Sequence, residues 1–123
     1  MFLRLFFLAL LGTLPAFAAE GIQVVNEQNF DQEIKSGVVL VDFYGAWCGP
    51  CKRLSPILDQ VAGNLKGGQK IVKVNIDQSK ALATAHNVTG VPTMILFKNG
   101  KEVDRLVGLY DQATIENFIN SGK

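Results

Sequence analysis

The sequence predicts an α/β domain in which one mixed β-sheet carries helices on both faces. Three observations predict it. The segment VVLVDFY, Val38 to Tyr44, is apolar at both alternating sets of positions, the pattern of a strand covered on both sides. Strand-like and helix-like segments alternate along most of the chain, and such alternation calls for parallel crossovers. Late in the chain, two strand-like segments are joined by Asn99-Gly100, a two-residue turn that sets its neighbours antiparallel.

The elements follow in order. Ile22 to Val25 is a short apolar strand. Asn29 to Ser36 reads as a helix with Phe30 and Ile34 four apart on one face, and Gly37 ends it. After the central strand, Cys51 to Leu65 is helical, with Leu54, Leu58, Val61 and Leu65 at spacings of three and four. Pro56 falls inside it, where it removes a backbone donor and is expected to kink the helix. Lys70 to Ile76 is a β-branched strand and Gln78 to His86 a short helix. Thr93 to Lys98 and Lys101 to Val107 form the hairpin. Asp111 is placed to cap a last helix that buries Ile115, Phe118 and Ile119. Phe43, Phe97 and Phe118 read as core, and His86 as a surface or capping residue.

Composition narrows the function. An apolar fraction of 48% and a charged fraction of 19% suit one globular domain with its own core. The net charge is +1 without any basic run, so nucleic acid and anionic membrane surfaces are not expected partners. The first residues differ from the rest. Arg4 is followed by the apolar run LFFLALL, then by Gly12 and Pro15, then by Ala16-Phe17-Ala18, the three-part plan of a secretory signal. Cleavage after Ala18 is expected, leaving 19–123 as the mature domain. The alternatives are an uncleaved anchor or a cytoplasmic chain. As a helix, Leu5 to Ala19 would reach about 22 Å, short of a hydrocarbon core of about 30 Å.

Both cysteines of the chain lie in one short stretch, AWCGPCKRLSP, at Cys48 and Cys51. As a structural staple the pair closes a loop too short to give more than about 2 kcal/mol. A zinc site needs four ligands and the pair supplies two. A haem attachment needs His after the second cysteine, where Lys52 stands. Redox chemistry fits better. Cys48 lies just before a helix and Cys51 in its first turn, so the sulfurs come within disulfide range. Cys48 also faces unsatisfied N–H groups and the positive end of the helix dipole, which favour the attacking thiolate. Cys51, expected to be the more buried, would then resolve the mixed disulfide that Cys48 forms with a substrate. Asp42, inside the central strand, is a carboxylate in an apolar layer, and burial is expected to raise its pKa.

WCGPC, set between VDFY and CKRLSPILDQVA, resembles the thioredoxin family. The resemblance runs from about Ile22 to Ile119 and includes VNIDQ, TGVPT, LFKNGK and VGL. It implies the thioredoxin fold and a protein-disulfide reductase that needs no cofactor and works as a monomer on disulfide-containing proteins. It also implies that Asp42 assists proton transfer at Cys51 and that Lys73 modulates Asp42. Pro92 matches the family's cis-proline. Trp47, Gly49, Pro50, Val91, Pro92 and Gly108 match its docking surface, where a substrate backbone would lie along Val91 as an added strand. Two departures stand out. Tyr44 occupies a position where many relatives have tryptophan, and the leader is absent from typical cytosolic members.

An oxidase or isomerase of the same fold is the alternative enzyme. Gly49-Pro50 argues against it, because oxidising relatives usually carry histidine between their cysteines. A binding subunit with incidental cysteines is the alternative of another class, and the joint presence of Cys48, Cys51, Asp42 and Pro92 argues against that. An exported reductase needs electrons from outside the soluble cytosolic pool. A membrane electron donor is therefore the expected partner, with a thioredoxin reductase as the alternative.

Overall fold

The computed structural model describes residues 21–122. The signal-like segment lies outside the described residues. The order of elements is β1 (Gln23–Val24), α1 (Phe30–Ile34), β2 (Val38–Tyr44), α2 (Gly49–Ala62), β3 (Gln69–Asn75), α3 (Lys80–Ala85), β4 (Thr93–Lys98), β5 (Lys101–Val107) and α4 (Gln112–Asn120). The five strands form one sheet in the order β1-β3-β2-β4-β5. β3 runs parallel to both β1 and β2, while β4 is antiparallel to β2 and to β5. The mixed sheet expected from the sequence is the one observed.

Alternation along β2 divides the interior into two layers. Val39, Val41 and Phe43 point to the α1 and α3 side, where they meet Phe30, Ile34, Val72, Val74, Ile95 and Phe97. Leu40 points to the other side and packs with Leu54, Leu58 and Val61 of α2 and with Ile115, Phe118 and Ile119 of α4. Asp42 and Tyr44 follow Leu40 at every second position, so they too lie on the α2 side. The same count along β3 puts Lys73 on the face of Ile71. The polar pair of the sheet is thereby brought under α2.

Asn99 and Gly100 both have positive φ, at 50° and 84°, as the expected hairpin turn requires. Asn99 also anchors the turn that starts β2. Its side-chain oxygen accepts the Gly37 N–H at 3.0 Å, and its own N–H donates to the Gly37 carbonyl at 2.9 Å. Gly37 has φ of 76°, and a Cβ there would stand 2.5 Å from the Gly68 carbonyl oxygen. Only glycine fits that corner.

Three expectations shift. α2 runs from Gly49 to Ala62 rather than from Cys51 to Leu65, with Gly63 as its cap, and Pro56 lies inside it as expected. α3 begins two residues later than expected, because the Asn75 side chain accepts the N–H groups of Asp77 and Gln78 and holds them in a turn. His86 caps α3, as expected, but its side chain is half-buried rather than exposed. Its ring folds under α3 to lie 4.9 Å from Phe30 and 5.6 Å from Phe97. Nδ1 stands 2.9 Å from the Leu82 carbonyl, so this nitrogen carries the proton. An imidazole has an apolar body, and here the aromatic cluster covers the body while the helix end satisfies the polar edge.

Candidate active site

The site lies where β2 feeds into α2. Cys48 is the N-cap of α2, in extended conformation at φ −86° and ψ 117°, with Gly49 and Pro50 as the first helical residues. Proline is tolerated there because its missing N–H would have had no helical partner. The N–H of Cys51, in the first turn, donates to Cys48 Sγ at 3.2 Å. The two Cα atoms are 5.2 Å apart and the sulfurs are joined in a disulfide. The pair expected from the spacing is therefore formed.

Exposure does not separate the two cysteines, contrary to the expectation that Cys51 is the more buried. Each is 5% exposed. Their surroundings separate them. The Cys48 sulfur lies 3.8 Å from the carbonyl oxygen of Val91. Cys51 instead lines a cleft of about 140 Å³ with Tyr44, Lys52, Ser55 and Lys73.

The Val91-Pro92 peptide is cis. The Pro92 carbonyl accepts the Gly108 N–H at 2.8 Å, which ties this loop to the end of β5. Gly49 and Pro50 are exposed, while Val91 and Gly108 are half-buried. Trp47 is 65% exposed, yet its ring is fixed. Nε1 donates to Asp77 Oδ2 at 2.8 Å, and the ring crosses so close over Gly45 that a Cβ there would meet it at 2.7 Å. Val107 and Leu109, on either side of Gly108, are further exposed apolar residues.

Asp42 is 1% exposed, and its Oδ1 has no hydrogen-bond partner. Burial pushes its pKa from the ordinary 3.8 up to about 7, with the Lys73 ammonium opposing the rise. Lys73 is the direct neighbour of Asp42 across the parallel β2–β3 ladder. Its Nζ donates to Ser55 Oγ at 3.1 Å and lies 5.4 Å from the centre of the Tyr44 ring.

The structure thus brings Cys48, Cys51, Trp47, Gly49, Pro50, Val91, Pro92 and Gly108 to one end of the sheet, with Asp42 and Lys73 beneath α2. Sequence reasoning did not single out Asp77, Ser55, Val107 or Leu109. The indole anchor on Asp77 could have been sought within VNIDQ. Nothing in the sequence marks a mid-helix serine as the partner of a lysine from another strand.

A dithiol so placed can open a substrate disulfide by thiol exchange. Relatives agree. The thioredoxin family model matches residues 21–121. A thioredoxin of Chlamydia trachomatis is 48% identical, over 80% of this chain and 96% of its own. A thioredoxin of Staphylococcus haemolyticus is 40% identical, over 78% and 92%. Among solved structures, a mutant thioredoxin of Halobacterium salinarum superposes with a TM-score of 0.76 at 36% identity, covering 82% of this chain and 89% of that one. This chain belongs to the thioredoxin family and is a thiol-disulfide oxidoreductase.

Proposed function

We propose that the chain is an extracytoplasmic protein-disulfide reductase that works through Cys48 and Cys51. One observation carries the assignment of roles: the Cys51 N–H donates to Cys48 Sγ at the start of α2. When the pair is reduced, this hydrogen bond and the helix dipole favour negative charge on Cys48, so Cys48 is the nucleophile.

The Cys48 thiolate attacks a substrate disulfide, forms a mixed disulfide and releases one substrate thiolate. Cys51 then loses its proton to Asp42 and attacks the Cys48 sulfur. The second substrate thiolate leaves, and the Cys48–Cys51 disulfide closes. Two electrons have passed from the protein to the substrate. Asp42 suits the proton step because its pKa, raised to about 7 by burial, lies near neutral pH. Lys73 modulates it as the adjacent cation. Trp47, Gly49, Pro50, Val91, Pro92 and Gly108 form the surface on which the substrate backbone docks along Val91.

The leader-like composition of residues 1–18 supports export. An exported reductase must be recharged, and a membrane protein that passes electrons outward by thiol exchange is the donor this reading requires.

The test is cell fractionation with acid-trapped alkylation, followed by mass spectrometry. A chain that begins at Ala19 outside the cytoplasm, with its pair mostly reduced, supports the reading. A mostly oxidised pair makes it an oxidase. An intact Met1 on membrane-bound protein makes the leader an anchor. A pair that stays reduced when every candidate membrane carrier is deleted removes the membrane donor and leaves a thioredoxin reductase.

A further inference from the structure

Lys73 does not pair with the carboxylate beside it. The ladder sets Asp42 and Lys73 opposite each other, on strands about 4.8 Å apart, with both side chains on the α2 face. A lysine stem is long enough to curl back onto such a neighbour. Yet the ion pairs found among the described residues are Lys70–Glu33 and Arg105–Glu102, and Asp42 Oδ1 stays buried without any partner. A buried acceptor left open costs about 1–3 kcal/mol, and the nearest cation, Lys73, has its hydrogen bond elsewhere.

Ser55 is that partner. It lies one helical turn after Cys51, on the same side of α2. Its Oγ accepts a hydrogen bond from Lys73 Nζ at 3.1 Å. The Tyr44 ring, 5.4 Å from the same nitrogen, adds a second attraction in the same direction. The ammonium is thus drawn along the cleft towards α2.

We propose that Ser55 is a positioning residue whose hydroxyl holds the Lys73 ammonium off the Asp42 carboxylate. Its consequence for catalysis rests on the reading of Asp42 as the proton acceptor for Cys51. A carboxylate locked in an ion pair would be a weaker base, whereas one left open keeps an oxygen free to take a proton. The ionisable groups around the cleft are Lys73 from β3, Cys51 and Lys52 from α2, and Tyr44 of β2 itself. β4 sets Met94 beside Asp42 and brings no charge. Lys73 is therefore the cation whose position matters.

The experiment is Ser55→Ala, with the Asp42 carboxyl titrated by NMR in the oxidised protein and the rate of reduction of a model protein disulfide followed against pH. Freed from Ser55, the ammonium is expected to close onto Asp42 and to lower its titration midpoint by about half a pH unit or more. The acid limb of the rate profile should fall with it. Ser55→Thr keeps the hydroxyl and should restore the parent midpoint. In a Lys73→Met background, Ser55→Ala should leave the midpoint unmoved. A folded Ser55→Ala protein with the midpoint unchanged or raised overturns the tether. A lowered midpoint without a matching move in the rate profile upholds the tether and overturns the base role of Asp42.

Discussion

The starts of α2 and α4 use one device for two purposes. In each, an N-cap residue in extended conformation accepts the N–H of the residue three places on. Cys48 Sγ accepts from Cys51 at 3.2 Å, and Asp111 Oδ1 accepts from Thr114 at 2.9 Å. At α4 the cap is exposed. Hydrogen bonding from Thr114, its side chain ahead of its backbone N–H, holds the Asp111 carboxyl below the usual carboxylate range. At α2 the cap is a sulfur withdrawn from water, so the protein donor supplies more of what solvent would otherwise give an anion. The second difference lies in the residue that donates. Thr114 has no chemistry to offer its cap, whereas Cys51 brings a sulfur that can bond to it. Capping geometry alone is structural, and it becomes catalytic when the cap is a nucleophile and its donor residue can resolve the product.

The largest expected effect separates these two roles at α2. Serine is among the best N-caps, so Cys48→Ser should keep the helix start intact, with stability close to that of the reduced parent. Disulfide reduction should nevertheless fall by about 10³-fold or more, because a hydroxyl cannot replace the thiolate. Cys51→Ser should accumulate mixed disulfides through Cys48, seen as mass adducts on Cys48 peptides. In the reduced parent at neutral pH, Cys48 should alkylate well before Cys51. Equal trapping by the two serine variants would reverse or abolish the assigned roles.

Asp42→Asn comes next. Loss of a general base is expected to slow reduction about 10²-fold at neutral pH and to remove the acid limb near pH 7. Stability should move the other way. Burial raises the folded-state pKa from 3.8 to about 7, so the contribution of the protonated carboxyl is fully present below about pH 4 and is lost as pH rises through 7. Relative to the parent, the asparagine variant should therefore gain about 4 kcal/mol between pH 4 and pH 8 in denaturant titrations. A stability difference flat in pH would mean that Asp42 does not titrate as its burial requires.

Much of this was legible in the sequence, and the reason differs by residue. The core strand, the hairpin at Asn99-Gly100 and the cap at Asp111 are local matters, set by alternation, turn conformation and side-chain reach, and each appears as expected. Cys48 and Cys51 were legible because their chemistry depends on a separation of three residues. Asp42 announced itself as a carboxylate in an apolar strand. What stayed hidden depends on tertiary contact between distant segments. His86 reads as the end of a surface helix, and only the fold brings Phe30 and Phe97, from α1 and β4, against its ring. Nothing local marks Ser55, whose partner Lys73 is brought to it from β3. The equal burial of the two cysteines reflects Val91, more than forty residues further on, whose carbonyl reaches the Cys48 sulfur.

The smallest expected effect lies at α4 and completes the contrast. Asp111→Ala removes a cap with no part in the chemistry, so reduction rates should stay at the parent value while the melting temperature falls by a few degrees. Because hydrogen bonding depresses the folded-state pKa of Asp111, its contribution is present above the unfolded value near 3.9 and is lost as pH falls through the folded value. The gap between parent and variant should therefore be steady at neutral pH and close in acid, the opposite pH sense to Asp42→Asn. Salt should narrow it as well, because an exposed charge at a helix terminus is screened. Asp111→Asn, which still accepts the Thr114 N–H but lacks the charge, should fall between the two. If Asp111→Ala slowed reduction as much as it lowered the melting temperature, α4 would be coupled to the active site through the layer it shares with α2, and the division between a structural and a catalytic cap would not hold.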